Sequence, residues 1–125
     1  MLGLLRFVVG LIFLEHGTSK LFGFPHVASY PAHLPPLLLA AGCIEFVCGT
    51  LVCLGILTRP AAFLASGEMA VGYFMAHAPR SPFPVVNGGD AAILYCFVFL
   101  YLVLAGAGRL GLGRLLFRRN TVLAD

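Results

Sequence analysis

Five charged side chains lie within or at the ends of long apolar stretches of this sequence, where hydrocarbon would surround them: Arg6, Glu15, Lys20, Glu45 and Glu68. An apolar stretch of about 20 residues is long enough to cross a bilayer as a helix. A charge at the centre of such a helix costs roughly 2.5–3.5 kcal/mol on insertion scales. We therefore expect these side chains to face inward, to pair or to lose their charge, and we look for function in that interior.

The composition is that of a membrane protein. The 125 residues are 60% hydrophobic and 10% charged, with a mean hydropathy of +0.98, whereas a soluble domain carries about 25% charged residues. We predict an all-α fold, a four-helix transmembrane bundle that forms one domain over residues 1–125. The four spans are expected at about residues 2–22, 34–57, 60–78 and 90–107.

The basic residues predict the orientation of the chain. Arg6, Arg59 and a basic tail at residues 109–125 all fall on the side of the termini. The opposite side carries Lys20 and Arg80. Because Lys and Arg concentrate in cytoplasmic loops, we expect both termini to lie in the cytoplasm.

The acidic residues of the first three spans fall at similar depths. A rise of about 1.5 Å per residue, counted from the outer ends, places Glu15 roughly 11 Å deep, Glu45 roughly 16 Å and Glu68 roughly 15 Å. Five further polar residues lie closer to the outer surface: His16, Lys20, His77, Asn87 and Asp90. This pattern predicts a polar cavity that opens outward and narrows at a layer of carboxyl groups.

The charges in this layer are unbalanced, because three carboxyls face one ammonium, Lys20, and one imidazole, His16. We expect at least one of Glu45 and Glu68 to be protonated at neutral pH, because buried like charges disfavour ionisation. His16 and Lys20, one helical turn apart, could bind an anionic or quinone-like head group or pair with the carboxyls. The alternative is that all these groups only fix helix register by pairing across the bundle. We favour function, since ionisable residues inside a membrane usually mark sites or pathways.

Glycines indicate where the spans approach one another. Three of them recur every seven residues in the first span: Gly3, Gly10 and Gly17. Gly49 follows Glu45 by one turn in the second span, so Glu45 is expected in a tight helix contact. Glu15 lies about 200° around the helix from Gly17. Either the glycine stripe or Glu15 therefore faces the bundle centre, and the other could face a second subunit.

Cofactor and metal motifs are sparse in this sequence. The four cysteines form no C-x-x-C pair and share no helix face, and no zinc signature is present. His26 and His33 fall in the outer loop, where we interpret them as plain loop residues with weak metal binding as the alternative. We predict no metal site and no covalently attached cofactor.

The sequence resembles the DoxX family through motifs that follow one another in order over about residues 3–105: Arg6-x3-Gly10-x2-Phe13-x2-His16-Gly17-x2-Lys20, Glu45-x3-Gly49, Thr58-Arg59, Glu68-Met69, His77 and Asn87-Gly88-Gly89-Asp90. The resemblance implies a multi-pass protein of the bacterial inner membrane with four helices. Relatives of that family include a small subunit of a thiosulfate:quinone oxidoreductase. It therefore implies a redox link, with quinone as the candidate cofactor.

Our first hypothesis is a small membrane subunit of a redox system linked to quinones or sulfur compounds. If the chain is an enzyme, it is one as a subunit of a membrane oxidoreductase. Glu45 and Glu68 would then be catalytic. The residues expected to bind substrate are His16, Lys20, His77, Asn87 and Asp90. Those expected to act as anchors or structural positions are Arg6, Arg59, Gly17 and Gly49.

Two other hypotheses remain open. The chain could be a carrier or channel-like oligomer for a small solute, or a membrane scaffold that recruits a partner protein. The expected surroundings are the lipid bilayer, a partner subunit or a second copy of the chain, and no nucleic acid. The glycine stripe of the first span is the feature that suggests a homodimer.

Overall fold

The structure, a computed structural model, describes residues 1–113, in which helices are joined by loops and no strand occurs. The elements in chain order are α1 (Leu2–Phe22), α2 (Pro36–Leu54), α3 (Thr58–Gly72) with a π-helical turn (Tyr73–His77), α4 (Pro84–Asn87) and α5 (Asp90–Ala105). By length and composition α1 and α2 can cross a membrane, while α5 is apolar but shorter. Most of the predicted basic tail, from residue 114 onward, lies outside the described residues.

The helix ends differ by a few residues from the spans that the hydropathy predicted. The second span begins at Pro36 rather than at residue 34, because proline suits the first turn of a helix. It ends at Gly55, which adopts a left-handed φ of 73° and donates its N–H back to Leu51 O and Val52 O. The third helix begins at Thr58, two residues earlier than predicted, and α5 ends at Ala105.

The helices pack in a chain of neighbours, with α1 along α2, α2 beside α3 and α3 along α5. Aromatic side chains connect α1 with α5. The rings of Phe13 and Phe99 meet edge to face with their centroids 4.7 Å apart, and both side chains are fully buried. Small residues of α3, Ala62 and Ala65, fill the core beside them. This core holds the helices that carry the ionisable residues.

The glycine stripe of α1 packs within the chain, against α2 at Gly10 and Gly17 and against Leu110 at Gly3. A Cβ at Gly10 would lie 2.5 Å from the backbone nitrogen of Cys53, and one at Gly17 would lie 3.0 Å from the carbonyl carbon of Glu45. From the other side, a Cβ at Gly49 would lie 2.7 Å from the backbone nitrogen of Leu14. The two backbones thus approach too closely for any larger residue. The stripe is used within the chain, so it does not supply the homodimer surface that the sequence suggested.

Two arginines bind the carboxyl ends of helices at one end of the molecule. The buried Arg6 donates hydrogen bonds to Val52 O and Cys53 O at the end of α2, and to Ala107 O at 3.0 Å. Arg59 donates to Val103 O and Leu104 O at the end of α5, at 2.9 and 3.0 Å. The last carbonyls of a helix lack partners within it and attract cations. Both side chains therefore stabilise the end of the molecule at which α2 joins α3.

Candidate functional site

Lys20 and Glu45 form a buried ion pair between α1 and α2. Lys20 Nζ donates to both carboxylate oxygens, and the two side chains are only 9% and 4% exposed. Gly42 makes room for the lysine, since a Cβ there would lie 3.0 Å from Lys20 Cβ. It is the one ion pair within residues 1–113. The pair cancels two of the charges that the apolar stretches carry.

Glu68 lies in a groove between α2 and α3 that has an approximate volume of 440 Å³. Its other lining residues, all apolar, are Leu37, Leu38, Ala40, Ala41, Ile44, Phe63, Leu64, Gly67, Val71, Gly72, Met75 and Ala76. Glu68 Oε2 is buried and has no hydrogen-bond partner in the part of the chain that the structure describes. Glu68 also lies close enough to Glu45 and Lys20 to interact electrostatically with both. The groove thus presents one carboxyl group to an apolar occupant.

A second pocket, of about 500 Å³, lies between the end of α1 and the loop that leads to α2. Lys20 and Ser19 line it from α1, and His26, Tyr30 and His33 line it from the loop. Lys20 Nζ lies 5.7 Å from the centre of the Tyr30 ring, within reach of a cation–π interaction. Sequence reasoning took both histidines for plain loop residues and did not consider Tyr30. The one sequence feature that could have predicted this pocket is that these loop residues follow Lys20 closely along the chain.

His77 and Asn87 connect the π-helical turn to the loop before α5. His77 Nδ1 lies 3.0 Å from Asn87 O, and the buried Asn87 amide donates to Ser81 O at 2.8 Å. Gly89 N donates to Asn87 Oδ1 at 2.7 Å. Asp90 is exposed in the first turn of α5, where a carboxylate favours the helix dipole. These three residues line neither pocket, and the contacts of His77 and Asn87 hold the loop.

His16 lies on an exposed face of α1, with its ring edge-on to Tyr95 at a centroid distance of 6.1 Å. The residues predicted to share one outward cavity are therefore divided among a buried ion pair, an apolar groove, a loop contact and an exposed helix face. Depth along a helix did not determine which neighbour each side chain meets. Of the predicted pair of donors, Lys20 binds a carboxyl directly, whereas His16 forms no ion pair among the described residues but interacts electrostatically with Glu45.

Metal-ligating residues do not cluster in the described part of the chain. No group of three or more His, Cys, Asp or Glu side chains there could hold a metal ion. The four cysteines are all free. The candidate functional groups that remain are the buried carboxyl of Glu68 and the buried Lys20–Glu45 ion pair.

Helices that are apolar and long enough to cross a bilayer, with a buried ion pair between two of them, are typical of a membrane protein. The model of the DoxX family matches residues 1–78, which include Arg6, Lys20, Glu45 and Glu68. The chain belongs to the DoxX family.

Two relatives match most of this chain. A Haemophilus influenzae protein named only as uncharacterized is 43% identical over 123 residues, which cover 94% of this chain and 92% of the relative. A Mycobacterium tuberculosis protein named as an uncharacterized membrane protein is 31% identical over 145 residues, covering 94% and 82%. No solved structure matches the chain.

Proposed function

We propose that this chain is a small membrane subunit of a redox system, and that it binds a lipid-soluble molecule of the quinone class in the groove between α2 and α3. The observation that supports this proposal is the carboxyl group of Glu68, which is the one polar side chain of an otherwise apolar groove. Its Oε2 is buried without a partner among the described residues. An unpaired buried polar group costs about 1–3 kcal/mol. Rotation of the carboxyl group toward the groove would let a ligand hydrogen-bond with it and recover that cost.

The shape and chemistry of the groove match such a ligand. Small-molecule sites are typically about 300–1,000 Å³, apolar, and equipped with few polar groups that fix orientation. A quinone combines a long apolar body with ring carbonyls that accept hydrogen bonds. Protonated Glu68 would donate to one carbonyl, while the leucines and alanines of α2 would contact the ring and tail.

Bound quinone would supply two-electron chemistry that takes up two protons on reduction, with the electrons delivered by a partner subunit. Within this chain, Glu68 would hold a proton next to the ligand. The Lys20–Glu45 pair interacts electrostatically with Glu68, and Lys20 also lines the outer pocket. Glu68 could be reprotonated from the outer side through these side chains.

We also propose four membrane crossings, with both termini in the cytoplasm of a bacterial cell and the chain in its inner membrane. The third helix supports this, because α3 continues through its π-helical turn to His77. Arg6 and Arg59 support the orientation, because both lie at the end of the molecule where α2 joins α3. Lys and Arg concentrate on the cytoplasmic side of membrane proteins.

Thiol labelling tests this orientation. Ser29→Cys, in the exposed loop after α1, should react with a membrane-impermeant thiol reagent added outside the cell membrane. Protection of this position would contradict the orientation.

The binding test uses two variants of the groove and one matched control. Nothing lies within 4 Å of a Cβ at Gly72, so Gly72→Leu would fill the groove without a clash with the backbone. Glu68→Leu would remove the polar partner. Ala91→Leu adds the same side chain at an exposed position of α5 and serves as the control.

Each protein is placed in lipid nanodiscs with a short-tailed benzoquinone, and bound quinone is measured by mass spectrometry. We expect Glu68→Leu to bind at least about tenfold more weakly, the loss that corresponds to one good hydrogen bond. Gly72→Leu should bind at least as weakly, because its side chain occupies the groove. The control should bind as the parent does. Equal binding by all four proteins would refute the site. Solute flux into proteoliposomes without a redox partner would instead favour a carrier, and full function in every variant would favour a scaffold.

A further inference from the structure

The pocket between the end of α1 and the loop that leads to α2, called the outer pocket from here on, binds nothing in the quinone proposal. Its volume of about 500 Å³ is that of a small-molecule site. None of the residues that line it also lines the groove of Glu68. Lys20, which lines it, lies roughly 21 Å along α1 from Arg6, so the pocket is at the opposite end of the molecule from the two arginines. A ligand there would occupy a site of its own.

The side chains that line the outer pocket are rich in hydrogen-bond donors. His26 and His33 each offer an imidazole N–H, and Tyr30 offers a hydroxyl. Lys20 has three N–H donors, of which two bind the carboxylate of Glu45. No acidic residue is found among the described residues that line the pocket. The ligand that fits this set is one that presents several acceptor oxygens together.

The loop that forms the outer wall of the pocket is fixed to α1. The buried Ser19 donates from its hydroxyl to Pro25 O at 2.7 Å, which holds the start of the loop on the helix. Farther along the loop, the ring of Tyr30 lies 5.7 Å from Lys20 Nζ. The donors are therefore held around the pocket before any ligand binds, and this lowers the entropy cost of binding.

The surroundings place the outer pocket at the border between hydrocarbon and water. Lys20 lies in the last turn of α1, and the large apolar side chains of Phe22 and Phe24, which follow it, are exposed. Leu39, which lines the pocket from α2, is exposed as well. In a bilayer these apolar side chains would face acyl chains, while the exposed His26 and His33 would face the polar headgroups. Basic pockets between spanning helices bind lipid headgroups at this level.

We propose that the outer pocket binds a phosphate group, carried either by a phospholipid headgroup or by a soluble phosphate ester. Several oxygens on one phosphorus atom would accept hydrogen bonds from His26, His33 and Tyr30, and from the third N–H of Lys20. Glu45 neutralises the charge of Lys20, so the selection rests on converging donors rather than on a net positive charge. The apolar part of the lining, which includes Leu21, would contact the glycerol and the first methylenes of a lipid.

The test compares three ligands that share parts of one structure. The full chain is purified in maltoside micelles without phosphate, and bound ligand is counted by native mass spectrometry. Phosphatidylglycerol supplies the phosphate and the acyl chains, diacylglycerol with the same chains lacks the phosphate, and glycerol 3-phosphate lacks the chains. We expect one phosphatidylglycerol per chain, and binding of diacylglycerol that is at least about tenfold weaker, because the charged hydrogen bonds are lost. Displacement by glycerol 3-phosphate would assign the site to a soluble ester, and its absence would assign the site to the lipid.

Two variants locate the bound phosphate. His26→Ala combined with His33→Ala removes two donors at exposed positions, so the fold should persist by far-ultraviolet circular dichroism, and phosphatidylglycerol should bind at least about tenfold more weakly. Arg80→Ala is the control, because it removes an exposed cation that does not line the pocket, and it should bind as the parent does.

Three results would overturn the phosphate site. They are equal binding of phosphatidylglycerol and diacylglycerol by the parent, a histidine variant that binds as the parent does, and a loss in Arg80→Ala as large as in the histidine variant. The first comparison uses the parent alone and holds even if a variant fails to fold. Because the outer pocket and the groove share no lining residue, failure here leaves the quinone site untouched.

Discussion

Removal of one partner of the Lys20–Glu45 pair should destabilise the fold strongly. Glu45→Gln leaves the ammonium group of Lys20 unpaired at a site where both side chains are almost fully buried. Loss of one partner from a buried ion pair typically costs about 3–5 kcal/mol, because the remaining charge is uncompensated. Lys20→Met should cost a similar amount. The double variant leaves no charge at the site, so we expect it to cost no more than either single variant.

The assay is reversible unfolding in bicelles with a denaturing detergent, followed by far-ultraviolet circular dichroism. The four proteins form a double-mutant cycle, for which we expect a coupling free energy of about 3 kcal/mol. Asp90→Asn, at an exposed carboxyl outside any described ion pair, is the control and should cost less than about 1 kcal/mol. If the effects of the two single variants simply add in the double variant, the pair does not carry the coupling that its geometry implies.

Three further predictions concern the glycine contacts, the helix ends bound by Arg6 and the groove. Gly49→Ala should destabilise by about 1–3 kcal/mol, because its Cβ would meet the backbone of Leu14, whereas Gly72→Ala, with open space, should gain up to about 1 kcal/mol of helix propensity. Arg6→Met should cost at least about 2 kcal/mol by leaving helix-end carbonyls unpaired, and Arg6→Lys should recover only part of it. Both effects are read from unfolding in bicelles. In infrared difference spectra, Glu68→Gln should remove a protonated-carboxyl band that Glu45→Gln leaves in place. Loss of no band in either variant would contradict the proton-holding role of Glu68.

The sequence predicted the helical fold and the presence of buried charges more reliably than it predicted which side chains meet. Charges inside apolar stretches indicated a helical membrane protein with an ionisable interior, and glycine spacing indicated close helix contacts. Hydropathy gives depth, but it does not give the rotation of a helix about its axis. It therefore could not decide whether Gly17 or Glu15 faces the bundle, and in the structure Gly17 lies against α2.

Local backbone features also could not be predicted from the sequence. The π-helical turn at Tyr73–His77 changes the direction of the side chains that follow, and it places His77 against the backbone of Asn87. No composition signal marks such a turn. The long reach of Lys20 to Glu45 was left open as one of two interpretations, because a flexible side chain can pair with several neighbours at similar depth.

Photoaffinity labelling of native membranes with a quinone that carries a photoreactive ring tests the groove around Glu68 most directly. Peptide mapping should find the label on α2 between Leu37 and Ile44, or on α3 and its π-helical turn between Phe63 and Ala76. The label should be lost in Gly72→Leu and retained in Ala91→Leu. Label confined to α1 or α5, or undiminished in Gly72→Leu, would contradict a quinone site in this groove.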